Sequence, residues 1–506
     1  MMKWKNRILP FGLAILLLGG TGPLTQGASA AGETEKTPVV KEFGPGALIK
    51  SDGTLWTWGG SQPVPTQVSD YPAPAGLLGE GYVRGADGSL GVITRTGYPS
   101  VVSVRTASGV SDVQQVIYYG PTLARDGSGR VYMNERTDQG WDDTSFTKIE
   151  GLSDVTDMAA YKVYTSEYGY EVEFMFLKKD GTVWKDTDSR NDSVSSLVQV
   201  PGLQDVVELE NDVALRKDGT VWSMTEHRAL SDAPQAPGQV PGLSNIAVVK
   251  QDGYQSFVAV DRQGRLWFWG GTITGWSDGT QYHDQKPIRL TGVSQVVDAF
   301  VIERSLLALT RDGKLYETSI ETETLSPSAP FGLIASDIAT ARASYRDLLF
   351  QKNDGSLWGW GVGKDYALGN ASDEFWNFKP VPVQSPISVT LNGENVAFTS
   401  GVVTKDGQNF VPMRALFGRM GASIGYDNTT KTATVTRPSA DGRPALTIAA
   451  SGKTGKITLN GKEAKVLNEP FIVSGTLYLP IRFISEQLGA TVAWSPGTQQ
   501  IDIVLN

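Results

Sequence analysis

The chain has 506 residues, 40% of them hydrophobic, which is enough to bury the cores of two or three domains and excludes disorder throughout. It contains no cysteine, which excludes disulfides, thiolate metal sites, cysteine nucleophiles and a lipid-modified N-terminal cysteine together. A formal charge of −9 disfavours nucleic acid and anionic lipid as long-range partners.

The first thirty residues set Lys3, Lys5 and Arg7 before an apolar stretch from Ile8 to Leu18, then Ala28-Ser29-Ala30. This is the three-part layout of a secretory signal peptide cleaved after Ala30. Cleavage removes three positive charges and no acid, which moves the net charge from −9 to −12. The apolar stretch is too short to span a bilayer and nothing later is long and apolar enough. The mature chain is therefore expected to be secreted and soluble, with no membrane insertion after cleavage. Residues 31–39 read as a linker.

Between Lys50 and Trp360 the chain writes an apolar run, an Asp-Gly or Gln-Gly pair and an aromatic strand eight times, with turn glycines at 53, 88, 127, 181, 219, 264, 313 and 355. Asp-Gly between two β-forming runs is a hairpin signal, and spacings of 35 to 54 residues fit one four-stranded propeller blade per repeat. Asp52, Asp180, Asp218, Asp312 and Asp354 are thus turn formers rather than catalytic acids. A marker such as Gly151-Leu152-Ser153-Asp154-Val155 or Gly202-Leu203-Gln204-Asp205-Val206 opens each later unit. Trp56 and Trp58, Trp267 and Trp269, and Trp358 and Trp360 stand two apart, so each pair shares a strand face and is expected to fill the space between sheets.

The string Asp-Gly-x-Leu-Trp-x-Trp-Gly, with its marker, resembles the repeats of the regulator of chromosome condensation (RCC1) family. The resemblance covers residues 40–384 and implies a seven- or eight-bladed β-propeller. Leu90-Gly91 and the inserted Gly129-Arg130 depart from the pattern and leave both counts open. Residues 379–383 look like the opening of a further blade, expected to pair with residues 38–50 and close the ring. The family's founder is a nuclear exchange factor docked on chromatin, a role that the leader and the acidic chain argue against. A secreted relative of this fold that inhibits a β-lactamase is the nearer precedent.

After Ser385-Pro386 a second repeat begins. Leu391-Asn392-Gly393 matches Leu459-Asn460-Gly461, Val411-Pro412-Met413-Arg414 matches Leu479-Pro480-Ile481-Arg482, and Tyr426 matches Trp494, all 68 residues apart. Each half, about 386–437 and 456–506, reads as strands around an Asn-Gly turn plus one helix begun by Pro412 or Pro480 and ended near Gly421 or Gly489. The string Leu-Pro-Ile-Arg-Phe-Ile-Ser-Glu-Gln-Leu-Gly-Ala resembles the copper amine oxidase N-terminal-like, or stalk, domain of secreted Gram-positive proteins. The resemblance implies a mainly β chain ending in a small duplicated α+β stalk domain over 386–506. It does not imply oxidase chemistry, which in the true enzymes belongs to a separate domain with three histidine ligands. Here His227 and His283 are the only histidines, both in the propeller region.

No Gly-x-Ser-x-Gly elbow, phosphate loop or His-Glu-x-x-His motif occurs. Residues 186–192 resemble a calcium loop, but Arg190 stands where an oxygen ligand is required. Arg414 and Arg482 read as structural, Arg482 with Glu486. The expectation is a noncatalytic protein without metal or cofactor, whose propeller loops engage an extracellular protein or cell-wall glycan while the stalk spaces or attaches it at the envelope. The candidate loops are 136–146, 186–196, 226–236 and 271–286, and Trp276, Tyr282 and His283 in the last are the expected anchors. With Asn506 last and no sorting motif before it, attachment to the wall would be noncovalent. The rivals are an extracellular polysaccharide-active enzyme with convergent carboxylates in the propeller channel, and a propeller inhibitor of a secreted enzyme.

Overall fold

The computed structural model describes residues 39–505 apart from 70, 72–73, 98–99, 166–168, 187–193, 195, 225–236, 252–255, 277–278 and 440–443. The expected signal peptide, nearly all of the linker, most of the candidate calcium loop, residues 226–236 and His227 lie outside the described residues.

Each Asp-Gly repeat carries its own hairpin. The carboxylate of Asp180 accepts from the backbone N–H of Thr182 at 2.9 Å and from its hydroxyl at 2.7 Å. The same hydroxyl accepts the indole N–H of Trp184 at 3.2 Å, and Lys178 lies 4.3 Å from that indole. Asp218, Thr220 and Trp222 repeat the bonds, as do Asp354, Ser356 and Trp358. These hydroxyl and amide donors hold the carboxyls of Asp180, Asp218 and Asp354 below their ordinary range. They are turn fasteners.

Among the described residues the strands up to Pro382 form eight four-stranded antiparallel meanders, over 40–67, 74–111, 113–148, 155–199, 206–239, 246–290, 296–335 and 338–382. A single parallel contact, Ser108 with Ser145, joins the outer strands of the second and third. The first strands of successive blades lie side by side around the ring. From the second blade to the eighth, successive blades are fastened through the marker. Asp205 adopts φ +55°, its carbonyl accepts from Lys217, and Val206 donates to Gly181 of the preceding blade at 3.1 Å.

That seam leaves no room for a side chain on the turn glycine. A Cβ on Gly219 (φ +82°) would stand 2.6 Å from Asn245 Cα, whereas one on Gly355 (φ +85°) meets nothing within 4 Å. Gly355→Ala is expected to carry only the left-handed backbone strain, about 1 kcal/mol, and Gly219→Ala roughly 1–3 kcal/mol more. Equal urea midpoints for the two variants would contradict a packed seam.

The expected strand exchange between residues 379–383 and 38–50 does not occur. Trp376–Pro382 pairs with Leu357–Val362 as the outer strand of its own blade, and Val40–Gly44 pairs with Ala47–Lys50. The chain enters and leaves the ring in the same phase, so every sheet is complete within one segment. Side chains join the first and last blades: Phe43, Leu48, Trp56 and Trp58 pack with Leu349, Leu357 and Leu368. Trp58 also donates its indole N–H to the carbonyl of Ala367 at 2.8 Å.

In the C-terminal domain Asn392-Gly393 and Asn460-Gly461 make the expected positive-φ turns, and the helices are Met413–Phe417 and Ile481–Gln487. The halves are not separate units, however. Ser388–Leu391 of the first pairs in parallel with Gln500–Leu505 of the second, and Leu446–Ser451 bridges Thr432–Arg437 to Ile457–Leu459. Val411 faces Leu479 across the centre, so residues 68 apart meet on a pseudo-twofold axis. One core draws on both halves, because the few short strands of either half could not cover the apolar face of its helix alone.

This domain does not stand off from the ring. The outer strand of the first blade, Gln62–Gln67, is buried along almost its whole length, unlike the outer strands of the other blades. Val64 sits among Val403, Phe410 and Tyr478. Gly401 donates to Thr66 Oγ1 at 2.7 Å, and Gln62 donates to the carbonyl of Thr399 at 3.2 Å. Pro63 and Pro65 suit an edge strand that is covered by packing rather than by ladder pairing.

Candidate functional site

The meander topology gives the ring two unlike faces. The Asp-Gly turns and markers lie on one, bonded into the blade seams. The connections between first and second strands and between third and fourth strands lie on the other, and among the described residues these include the candidate loops 136–146 and 271–286.

Trp276 is at the tip of the hairpin Leu266–Thr274 and Gln281–Leu290 and is 60% exposed, with the Arg304 guanidinium 4.0 Å from its ring. Arg304 also donates to the carbonyl of Gly275 at 2.7 Å and pairs with Glu321 at 3.2 Å. Tyr282 is exposed on the returning strand. His283 is its neighbour on the opposite strand face, and its ring bonds to Thr274 Oγ1 at 2.7 Å. Trp276 and Tyr282 are thus presented outward, while His283 is tied into its own hairpin. In the loop 136–146, Arg136 lies 5.7 Å from the ring of Trp141.

The seventh and eighth blades extend this surface. Glu303, beside Arg304, pairs with Arg346, whose guanidinium lies 5.2 Å from Phe375. Phe375 contacts Trp376 edge-on, and Trp376 stacks on Phe378, which is 71% exposed. Sequence reasoning missed Arg304, Arg346, Phe375 and Phe378. The signal was there: Phe375-Trp376-Asn377-Phe378 is an aromatic run outside the Asp-Gly register. Cationic groups laid over exposed aromatics make amphipathic anchors suited to protein or glycan surfaces.

The channel is less promising as a reaction site. After the β-bulge that each first strand makes, Glu42, Gln115, Asp157, Glu208 and Asp298 occupy one register around the ring. Glu42 accepts from Leu77 N–H of the next blade at 3.1 Å, and Asp157 accepts from Leu209 N–H at 3.0 Å and from Gln115 at 2.8 Å. Asp298 is paired with Lys250 of the preceding blade. These carboxylates hold neighbouring blades. Among the described residues no three His, Cys, Asp or Glu side chains gather as metal ligands, and no helix is long and apolar enough to cross a membrane.

Asp347, on the first-to-second-strand turn of the last blade, differs. It is only 5% exposed, and one oxygen accepts from Ser344 Oγ at 2.6 Å. Burial pushes its carboxyl up to about 7; Ser344 opposes the shift and the nearby Glu80 adds to it. An acid near neutrality suits proton transfer, but this one is enclosed by its own turn. Because the folded value lies above the unfolded value of about 3.9, stability should fall as pH rises from about 4 to about 7 and level off above. Asp347→Asn is expected to flatten that slope in thermal melts between pH 4.5 and 8. Parallel profiles for the two proteins would show Asp347 to be ionised throughout.

Comparison with known proteins adds the following. Residues 390–503 match the family model of the copper amine oxidase N-terminal domain. No curated protein matches the chain. Among solved structures the chain is similar to Prp20p from Saccharomyces cerevisiae, studied for binding to Gsp1p and histones, at 17% identity over 54% of this chain and 77% of that one, with a TM-score of 0.39. It is similar to human WBSCR16 at 15% identity over 60% and 93% of the two chains, with a TM-score of 0.41. A complex of Kap60 with yeast RCC1 (Prp20) gives 14% identity over 73% and 91%, also at 0.41. At these scores the likenesses say nothing about partners, and the propeller is established by its own strand pairing.

Proposed function

We propose that the chain is an exported, noncatalytic binding protein of the cell envelope. The loop face of blades six to eight engages an extracellular protein or glycan, and the C-terminal domain attaches the ring to the wall. The reading is carried by the division of the ring into a seam-bonded face and a face with the exposed anchors Trp276, Tyr282, Phe375 and Phe378. The leader-like N-terminus and the resemblance of residues 386–506 to stalk domains of secreted proteins support the location. Attachment acts through a domain that is docked on the ring, so anchor and binding face move as one body.

The test is cosedimentation of the mature chain, residues 31–506, with washed Gram-positive cell walls. Removing everything after Gln384 would bare the Val64 strand, so point variants are the better controls. Saturable pelleting of the wild type is expected, and a protein that stays in the supernatant at low salt overturns the envelope reading. Trp276→Ala with Phe378→Ala is expected to leave stability within about 0.5 kcal/mol of wild type, since both side chains are exposed. Any share of wall binding carried by the loop face would be lost in that double variant.

A further inference from the structure

The C-terminal domain is built twice, and one of its two equivalent clefts is open. The cleft of the second half, about 610 Å³, lies between the helix Ile481–Gln487, the strand Ala490–Ser495, the strands Val403–Lys405 and Gln408–Pro412, and residues 465–467. A shift of 68 residues carries these walls onto the helix and following strand of the first half and onto Phe471–Val473 and Thr476–Pro480 of the second. There Gly452 packs so closely that a Cβ on it would stand 2.7 Å from Ile472 and 2.9 Å from Leu477. The matching residues at the open cleft are Gln384, Thr404 and Asn409.

Those polar residues are tied to one another. Gln384 donates to the carbonyl of Thr404 at 3.2 Å and accepts from its N–H at 2.9 Å, and Thr404 Oγ1 donates to Asn409 at 2.8 Å. An aliphatic contact in one half has become a hydrogen-bonded wall in the other. The duplication supplies an internal control: the same framework packs shut around Gly452 and stands open beside Gln384.

We propose that this open cleft is a saccharide-binding site, which names the ligand of the attachment end and to that extent rests on the reading above. Its floor includes Val492 and Ile501, and Trp494 presents a ring that is 40% exposed. Arg482, Glu486 and Gln499 supply planar polar groups around it. A pyranose has a C–H face that packs on an indole and a hydroxyl edge that matches amide, carboxylate and guanidinium groups. The volume falls within the range of about 300–1,000 Å³ typical of sites that enclose small ligands. Arg482 and Glu486 stand 3.7 Å apart and are each about half exposed, so their pairing contributes little to the fold and leaves both groups able to meet a ligand. Arg482 and Glu486 offset one another, and Lys465 leaves the lining with one net positive charge.

The experiment is calorimetric titration of the mature full-length chain with the β-1,4-linked tetramer of N-acetylglucosamine. Saturable heat is expected from the wild type, with affinity about tenfold or more lower in Trp494→Ala and Arg482→Ala and unchanged in Val101→Ala, whose exposed side chain lies on the second blade outside both binding regions. Both cleft side chains are exposed, and coincident melting curves would show that the variants are folded. Silence from the wild type, or undiminished affinity in Trp494→Ala, overturns the proposal. So does heat from tetraalanine that Trp494→Ala abolishes, which would make the cleft a peptide site. Cosedimentation with walls alongside a silent titration sinks the cleft and leaves the envelope reading standing; saccharide heat without cosedimentation does the reverse.

Discussion

Trp58→Ala is expected to cost about 3–5 kcal/mol and to open the ring between its first and last blades. Trp58 is fully buried at the only junction where blades far apart in sequence must meet, and Gly369 of the last blade stands about 3.0 Å from its ring when given a Cβ. Truncation leaves a large cavity and strips the carbonyl of Ala367 of its indole donor. At the other seams the connecting chain tethers neighbouring blades directly; here no strand is shared, and the links left are the Ala371 N–H bond to the Pro63 carbonyl, the Gln351 bond to the Val40 carbonyl and the C-terminal domain docked on the first blade. Urea unfolding should show a markedly lower midpoint than wild type, while exposed Trp494→Ala stays within about 0.5 kcal/mol of it. A midpoint for Trp58→Ala equal to that of Trp494→Ala would mean that the ring is held elsewhere.

Val64→Asp is expected to separate the C-terminal domain from the propeller. A carboxylate in place of Val64 would be buried among Val403, Phe410 and Tyr478 without a partner, at a cost of several kcal/mol that undocking relieves. The radius of gyration should rise, and proteases should gain access to residues 383–387. Tyr478→Phe offers a milder companion: it removes the bond between Tyr478 and Ser400, for about 1 kcal/mol, and should leave the domains together. An unchanged radius and cleavage pattern for Val64→Asp would contradict a docked interface.

Much of this fold was legible in the residues. Asp-Gly-Thr-x-Trp specifies a hairpin through bonds within five residues, so one strand pair can be read without knowing the rest. The paired tryptophans are likewise local in register, and Trp56 with Trp58 and Trp358 with Trp360 do fill inter-sheet clusters. The 68-residue duplication pointed to both helix starts and both Asn-Gly turns, although the first helix stops at Phe417, short of Gly421.

What could not be read depends on contacts between distant segments. Closure by side chains rather than by an exchanged strand is decided by the phase in which the chain enters and leaves the ring. The interleaving of the two halves has no local signal, since a strand from either half presents the same alternation. The buried edge at Gln62–Gln67 hides in a Pro-x-Pro stretch that reads as an ordinary exposed edge. Of the candidate anchors, Trp276 and Tyr282 were recognisable as aromatics outside the blade register. His283 was included by proximity in sequence, and strand alternation turns it toward Thr274.

The most direct test of the functional account is one incubation of the mature chain with washed Gram-positive cell walls, scoring pelleted protein and soluble reducing ends together. Binding without turnover predicts saturable cosedimentation and no release of reducing ends above a protein-free control. Reducing ends that accumulate in proportion to the protein would make it a polysaccharide-active enzyme, and an empty pellet would remove it from the wall.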